Sequence, residues 1–358
     1  MGEELMRGKR QKNVRKVTLL FILLSAILLT SLFFGLTVGS SGISIGESFL
    51  ALFGNGTASA VRIAQRIRLP RVLAALASGA GLSLAGLILQ TCLGNDMASP
   101  STLGVSNAAV FGANVAIIGF AGEYLSSSRN VSDYMANANP FSTSFFAFIF
   151  ALLSVFLVLG LSRISRFNPS TIILAGIGIG AIWTAATTIL QYTATDVGLS
   201  AAVIWSFGDL GRATFTTDWI MLGGTFIAAV IFILLSWRFN AMLSGDDVAQ
   251  SLGVKTGVLR VFSLIIASML IATIISFIGI IGFVGIIGPH VAKRLFGLNH
   301  RLSIPSSMLV GSILVLGADT LTRAFSGGMA LPIGAVTSLL GAPFFLYLIF
   351  ARKGVRHG

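Results

Sequence analysis

The sequence predicts an all-α polytopic membrane protein with about ten transmembrane helices, and three observations carry that prediction. Of 358 residues, 55% are hydrophobic and 10% are charged, against roughly 25% charged in ordinary soluble domains. The apolar residues gather in runs of about 20, the length at which a helix crosses the hydrocarbon core of a bilayer. Forty-one glycines supply small side chains that let membrane helices approach closely, because lipid gives helices no hydrophobic drive to associate.

Ten candidate spans follow, at roughly 17–37, 71–92, 103–120, 141–162, 171–194, 217–237, 259–279, 280–293, 304–324 and 332–350. The first follows a basic lead, Arg7 to Lys16. Its apolar run exceeds the 7–15 residues of a signal-peptide core, so it reads as a retained helix. The second begins behind Pro70, whose missing N–H costs nothing at a helix start. After the third, residues 121–140 are polar and read as an exposed outer loop. Between the fifth and sixth, residues 195–216 mix Asp196, Trp205, Asp209 and Arg212 with apolar residues, which suits an interfacial amphipathic segment. Residues 261–291 are too long for one span. Gly279, Gly282, Gly285, Gly288 and Pro289 interrupt them, so a break is expected there. The resulting organisation is a basic cytoplasmic segment at 1–16, one transmembrane domain over 17–350 with an inner loop at 238–258, and a cytoplasmic tail at 351–358.

Charge sets the orientation. With the amino terminus inside, 17 of the 24 lysines and arginines fall on the cytoplasmic side, so the positive-inside rule places both termini in the cytoplasm. The other seven are Arg62, Arg66, Arg68, Arg71, Arg129, Arg212 and Arg323. The net charge of +12 lies between apolar runs rather than on a basic face with interleaved aromatics, so no nucleic-acid partner is expected.

Several chemistries are missing. A phosphate-binding loop needs Gly-x4-Gly-Lys-Ser/Thr; Gly253-Val254-Lys255-Thr256 lacks the glycine framework, and Ser326-Gly327-Gly328 without such a loop reads as a turn. Cys92 is the single cysteine, which excludes an intramolecular disulfide and a cysteine metal cluster. His290, His300 and His357 are scattered, with no paired carboxylates. No catalytic residue, resident metal or cofactor is expected.

Three groups of residues carry a signal. Arg68 and Arg71, three apart, would share one helix face at the outer surface, where they either snorkel to lipid phosphates or pair with a partner's carboxylates. Asp319 and Arg323 stand at i and i+4 inside the ninth span, as a self-contained pair or a functional one. In the inner loop, Gly245-Asp246-Asp247 suits a helix start, where the dipole favours negative charge, and Gly253 suits its end. Val248, Ala249 and Leu252 then form a small apolar face. So short a helix needs a partner surface.

These segments together resemble the FecCD/BtuC family of importer permeases. The resemblance runs from Arg68-Leu69-Pro70-Arg71 through Gly79, Ala80, Gly86, Gln90, Asn95, Ala98, Pro100 and Leu103-Gly104-Val105-Ser106. It resumes at Leu174-Ala175-Gly176, Trp205 and Gly208, then at Gly245, Asp246, Ala249 and Leu252-Gly253-Val254. It ends with Gly282-Phe283-Val284-Gly285, Gly288-Pro289-His290, Ala318-Asp319, Arg323, Leu331-Pro332-Ile333-Gly334 and Gly341-Ala342-Pro343-Phe344. It implies a ten-helix subunit that pairs with a second copy or a related permease around a central pathway. Two ABC ATPase subunits would lie inside, and a substrate-binding protein outside. Arg68, Arg71 and Arg323 match the family's positions for docking that protein. Gly245, Asp246, Ala249, Leu252 and Gly253 match its ATPase-coupling helix, and Pro169 and Ser170 its inner gate. Two positions depart: Asn95-Asp96-Met97-Ala98 stands where the family usually has Asn-Pro-Leu-Ala, and Asp246 where it usually has glutamate.

The implied function is import of an iron chelate or cobalamin by alternating access, with ATP hydrolysed by another subunit. The alternative is an ion-coupled secondary transporter, which buries titratable residues along its pathway; Asp319 is the one strong acidic candidate.

Overall fold

The computed structural model describes residues 2–39, 43–120, 140–325 and 331–353. Its described secondary structure is helical throughout. The polar segment 121–139, the Ser326–Gly328 turn and the last five residues lie outside the described residues.

Each predicted span corresponds to one helix. They are α1 (Gly2–Thr37), α3 (Ala58–Leu93), α4 (Val105–Asn114), α5 (Pro140–Ser162), α6 (Pro169–Tyr192), α8 (Phe215–Leu234), α11 (Thr256–Ile278), α12 (Val284–Phe296), α13 (His300–Phe325) and α14 (Ile333–Lys353). Between them lie α2 (Ile45–Leu52), α7 (Asp196–Ser206), α9 (Ser236–Met242) and α10 (Asp246–Ser251). Seven of these helices are long and apolar enough to cross a membrane.

Three boundaries differ from expectation. The basic lead is no separate segment, since α1 runs unbroken from Gly2. Helix α3 starts at Ala58 instead of Pro70, because a π-turn over Ile63–Arg68 carries the helix into the proline. The N–H of Leu69 donates to the carbonyl of Ala64 there, five residues back, so the wider turn accommodates what a regular turn could not. The stretch 238–258 is no loop but α9, α10 and the start of α11. The long apolar run breaks as predicted, at Gly279 (φ +79°), and Phe283 (φ +63°) opens α12.

Helix α3 is the axis. Of its most apolar stretch 89% is buried, against 6% for α1, which lies on the outside of the bundle. It packs against α13, α11, α12 and α8. Two glycines set the closest approaches: a Cβ at Gly79 would strike the carbonyl of Gly311 on α13, and one at Gly86 the carbonyl of Gly285 on α12. Such backbone contact holds helices together by van der Waals packing where lipid supplies no other drive. Hydroxyls add cross-links. Ser83 Oγ donates to Ser307 O at 2.7 Å, and Ser312 Oγ to Leu76 O at 3.0 Å.

Because the contact at Gly86 is backbone on backbone, Gly86→Val is expected to cost at least about 2 kcal/mol by overpacking. Thermal unfolding in detergent checks this, with Gly223→Ala, which has open space at its Cβ, as the neutral control.

Candidate functional site

Polar side chains concentrate at the two ends of the bundle. At the first end, Asp319 of α13 is fully buried and shared between two arginines. Arg71 Nε donates to its Oδ1 at 2.8 Å and Arg323 Nε to its Oδ2 at 2.9 Å. Arg323 Nη1 also donates to Val38 O at 2.7 Å, and Asp209 stands 4.0 Å from Arg71. Asp319 and Arg323 therefore do not form a self-contained pair; the carboxylate ties α3 to α13.

Arg68 stands differently from expectation. Like Arg71, it is turned into the bundle instead of toward the outer surface, and it is 4% exposed. Its guanidinium donates to Leu36 O at 3.2 Å, Thr37 O at 2.7 Å and Ser48 Oγ at 2.9 Å. It thus caps the carbonyl end of α1, whose last C=O groups lack helical partners, and pins α2. Among the described residues, the exposed arginines of this end are Arg62 and Arg66.

At the opposite end, α10 forms with Gly245 (φ +101°) before it and Gly253 (φ +82°) after it. Its apolar residues do not share one face. Ala249 is buried against the protein, while Val248 and Leu252 are 46% and 61% exposed. Asp247 is exposed, and Asp246, its side chain 40% exposed, pairs with the buried Arg260 at 2.8 Å. Beside α10 a cleft of about 550 Å³ is lined by Trp237, Arg238, Gly253 and Lys255 among others. Pro169 and Ser170 open α6 at this same end, with Asn168 Oδ1 accepting from Ser170 N at 2.9 Å.

The carboxyl end of α3 is held by further contacts. Lys293 donates to Gln90 Oε1 at 2.8 Å and to Asp96 Oδ1 at 2.9 Å. The His300 ring lies between Thr91 and Asn240, 2.8 Å from each, so this histidine is a packing residue. Asp96, the departure in the Asn95–Ala98 turn, is thereby the partner of a lysine.

One acidic residue escaped the sequence reading. Asp218, in the first turn of α8, is fully buried, and neither carboxylate oxygen has a hydrogen-bond partner among the described residues. Asp319 is therefore not the one buried carboxylate. A Thr-Thr-Asp run at a helix start looks like ordinary capping, so sequence offered no signal for it. No group of three metal-ligating side chains occurs among the described residues.

The model of the FecCD transport family matches residues 26–351. An ABC transporter permease protein of Methanocaldococcus jannaschii is 40% identical over 94% of this chain and 95% of its own length. The iron(3+)-hydroxamate import system permease protein FhuG of Bacillus subtilis is 33% identical over 96% and 99%. Among solved structures, an inward-facing metal-chelate type ABC transporter superposes with a TM-score of 0.78 at 27% identity, covering 93% of this chain and 99% of that one.

Removing the shared carboxylate leaves Arg323 without a carboxylate and Arg71 with Asp209 alone, at 4.0 Å. Asp319→Asn is expected to lower stability by about 3 kcal/mol or more. Arg71→Met should cost less, since Arg323 still pairs with Asp319. Thermal unfolding of both purified variants checks that order.

Proposed function

The chain belongs to the FecCD transport family, and from that premise we propose that it carries an iron chelate, a ferric siderophore or haem, across the cell membrane into the cytoplasm. It is the multi-pass permease of an ATP-binding-cassette importer, and a separate ATPase subunit and a substrate-binding protein are its partners. The observation that carries the cargo class is the 33% identity to a ferric hydroxamate permease over nearly the whole of both chains.

The charge pattern supports an orientation in which the Asp246 end and both termini face the cytoplasm. The protein is then a single transmembrane domain that works beside a second permease copy or a related permease. Helix α10 is the coupling helix. Val248 and Leu252 enter the ATPase cleft, Gly245 and Gly253 let the chain turn into and out of it, and Ala249 seats the helix on the permease. The start of α6, at Pro169 and Ser170, is the inner gate. On the other end the binding protein docks through acidic residues. Arg62 and Arg66 are exposed for that contact, and Arg71 and Arg323 lie at its edge. Arg68 joins it only by leaving Thr37 and Ser48. Cargo moves by alternating access, without covalent chemistry.

Two outcomes test this. Leu252→Asp puts an unpaired charge into the ATPase contact, so co-purification with the ATPase should weaken at least about tenfold while the permease stays folded; unaltered association with Leu252→Asp overturns the coupling role. Charge reversal at Arg62 and Arg66 together should weaken docking of the binding protein by about tenfold, more strongly at low ionic strength. Docking that ignores both the reversal and salt removes that surface from the contact.

A further inference from the structure

Arg260, near the start of α11, joins three separate segments. It is 4% exposed. Nε donates to Cys92 O at 2.7 Å, Nη1 to Phe167 O at 3.3 Å, and Nη2 to the two carboxylate oxygens of Asp246 at 2.9 and 2.8 Å. The acceptors are the last turn of α3, the turn that leads into α6, and the first residue of α10. A planar guanidinium with its donors fixed in a fork can hold three such acceptors at once, whereas a lysine ammonium is a point charge on a flexible stem.

The turn held by Nη1 is under backbone strain. Arg166 (φ +54°) and Phe167 (φ +60°) both lie in the left-handed region, which costs non-glycine residues free energy unless surrounding contacts hold them there. Phe167 N donates to Ser162 O at 2.9 Å, and Arg260 takes up its carbonyl. Asn168 then caps α6, and Pro169 begins it. A displacement of Asp246 therefore acts, through one rigid side chain, on a strained turn two residues from the start of α6.

We infer that Arg260 is a positioning residue that transmits movement of α10 to the start of α6, with Asp246 as its inward anchor rather than a contact to the ATPase. This rests on the reading of α10 as the coupling helix.

The test uses the complex of permease, ATPase and binding protein in proteoliposomes, and reads ferric hydroxamate imported per ATP hydrolysed. Arg260→Lys and Asp246→Asn are each expected to lower that ratio at least about fivefold in complexes that still assemble, the scale of a coupling free energy between sites. Asp246→Glu, which keeps the charge, should hold it. A ratio unchanged in both variants, or import and hydrolysis lost in proportion, overturns the proposal. Should Arg260→Lys fail to assemble, the Asp246→Asn and Asp246→Glu pair decides. A wild-type complex that imports nothing fails the functional reading alone. The link is then read by hydrogen exchange on the purified permease: the amides of Phe167, Asn168 and Ser170 should exchange at least about tenfold faster in Asp246→Asn than in wild type or Asp246→Glu. Equal exchange in all three contradicts it.

Discussion

A helix surrounded by protein at membrane depth has no water to satisfy its polar groups, and α3 imposes that constraint on every helix around it. Its middle is apolar and small, and packs through Gly79 and Gly86 onto the backbones of α13 and α12. Charges stand on either side of that middle. At one, Arg71 meets the buried Asp319 and Arg68 meets the carbonyl end of α1. At the other, Gln90, Thr91 and the carbonyl of Cys92 are met by Lys293, His300 and Arg260.

The two ends differ in what they leave exposed. At the arginine end Asp319 is used internally, while Arg62 and Arg66 are exposed and suit an acidic partner. At the Asp246 end a short helix projects two apolar side chains, Val248 and Leu252, which solvent does not favour and a protein cleft does. A permease needs this division of labour. In the proposed function one face receives the loaded binding protein and the other the ATPase, with buried polar contacts joining each face to the helices between.

Much of this was legible in the sequence. Run length and glycine content placed ten spans, and the glycines after Ile278 marked the break between α11 and α12. Gly245 and Gly253 delimited α10, because a positive φ on either side is what a six-residue helix needs to turn in and out. Direction within a helix was not legible. A spacing of three residues puts Arg68 and Arg71 on one face of a regular helix, but it does not show that this face is turned into the bundle, where both find internal acceptors. In the same way Val248, Ala249 and Leu252 look like one apolar face until the packing of α10 turns Ala249 inward. The partners of Asp246, Arg260 and Asp218 depend on contacts between distant segments, which a single sequence does not display.

The central claim is that ATP hydrolysed on the Asp246 side drives cargo through this bundle. Uptake of labelled ferric hydroxamate into proteoliposomes tests it most directly, with the permease, its ATPase and its binding protein supplied in all combinations. The account predicts accumulation that requires all three proteins and ATP on the ATPase side, and that persists when an uncoupler abolishes the proton gradient. Accumulation without the ATPase, collapsing with the uncoupler, would contradict it and identify an ion-coupled carrier instead.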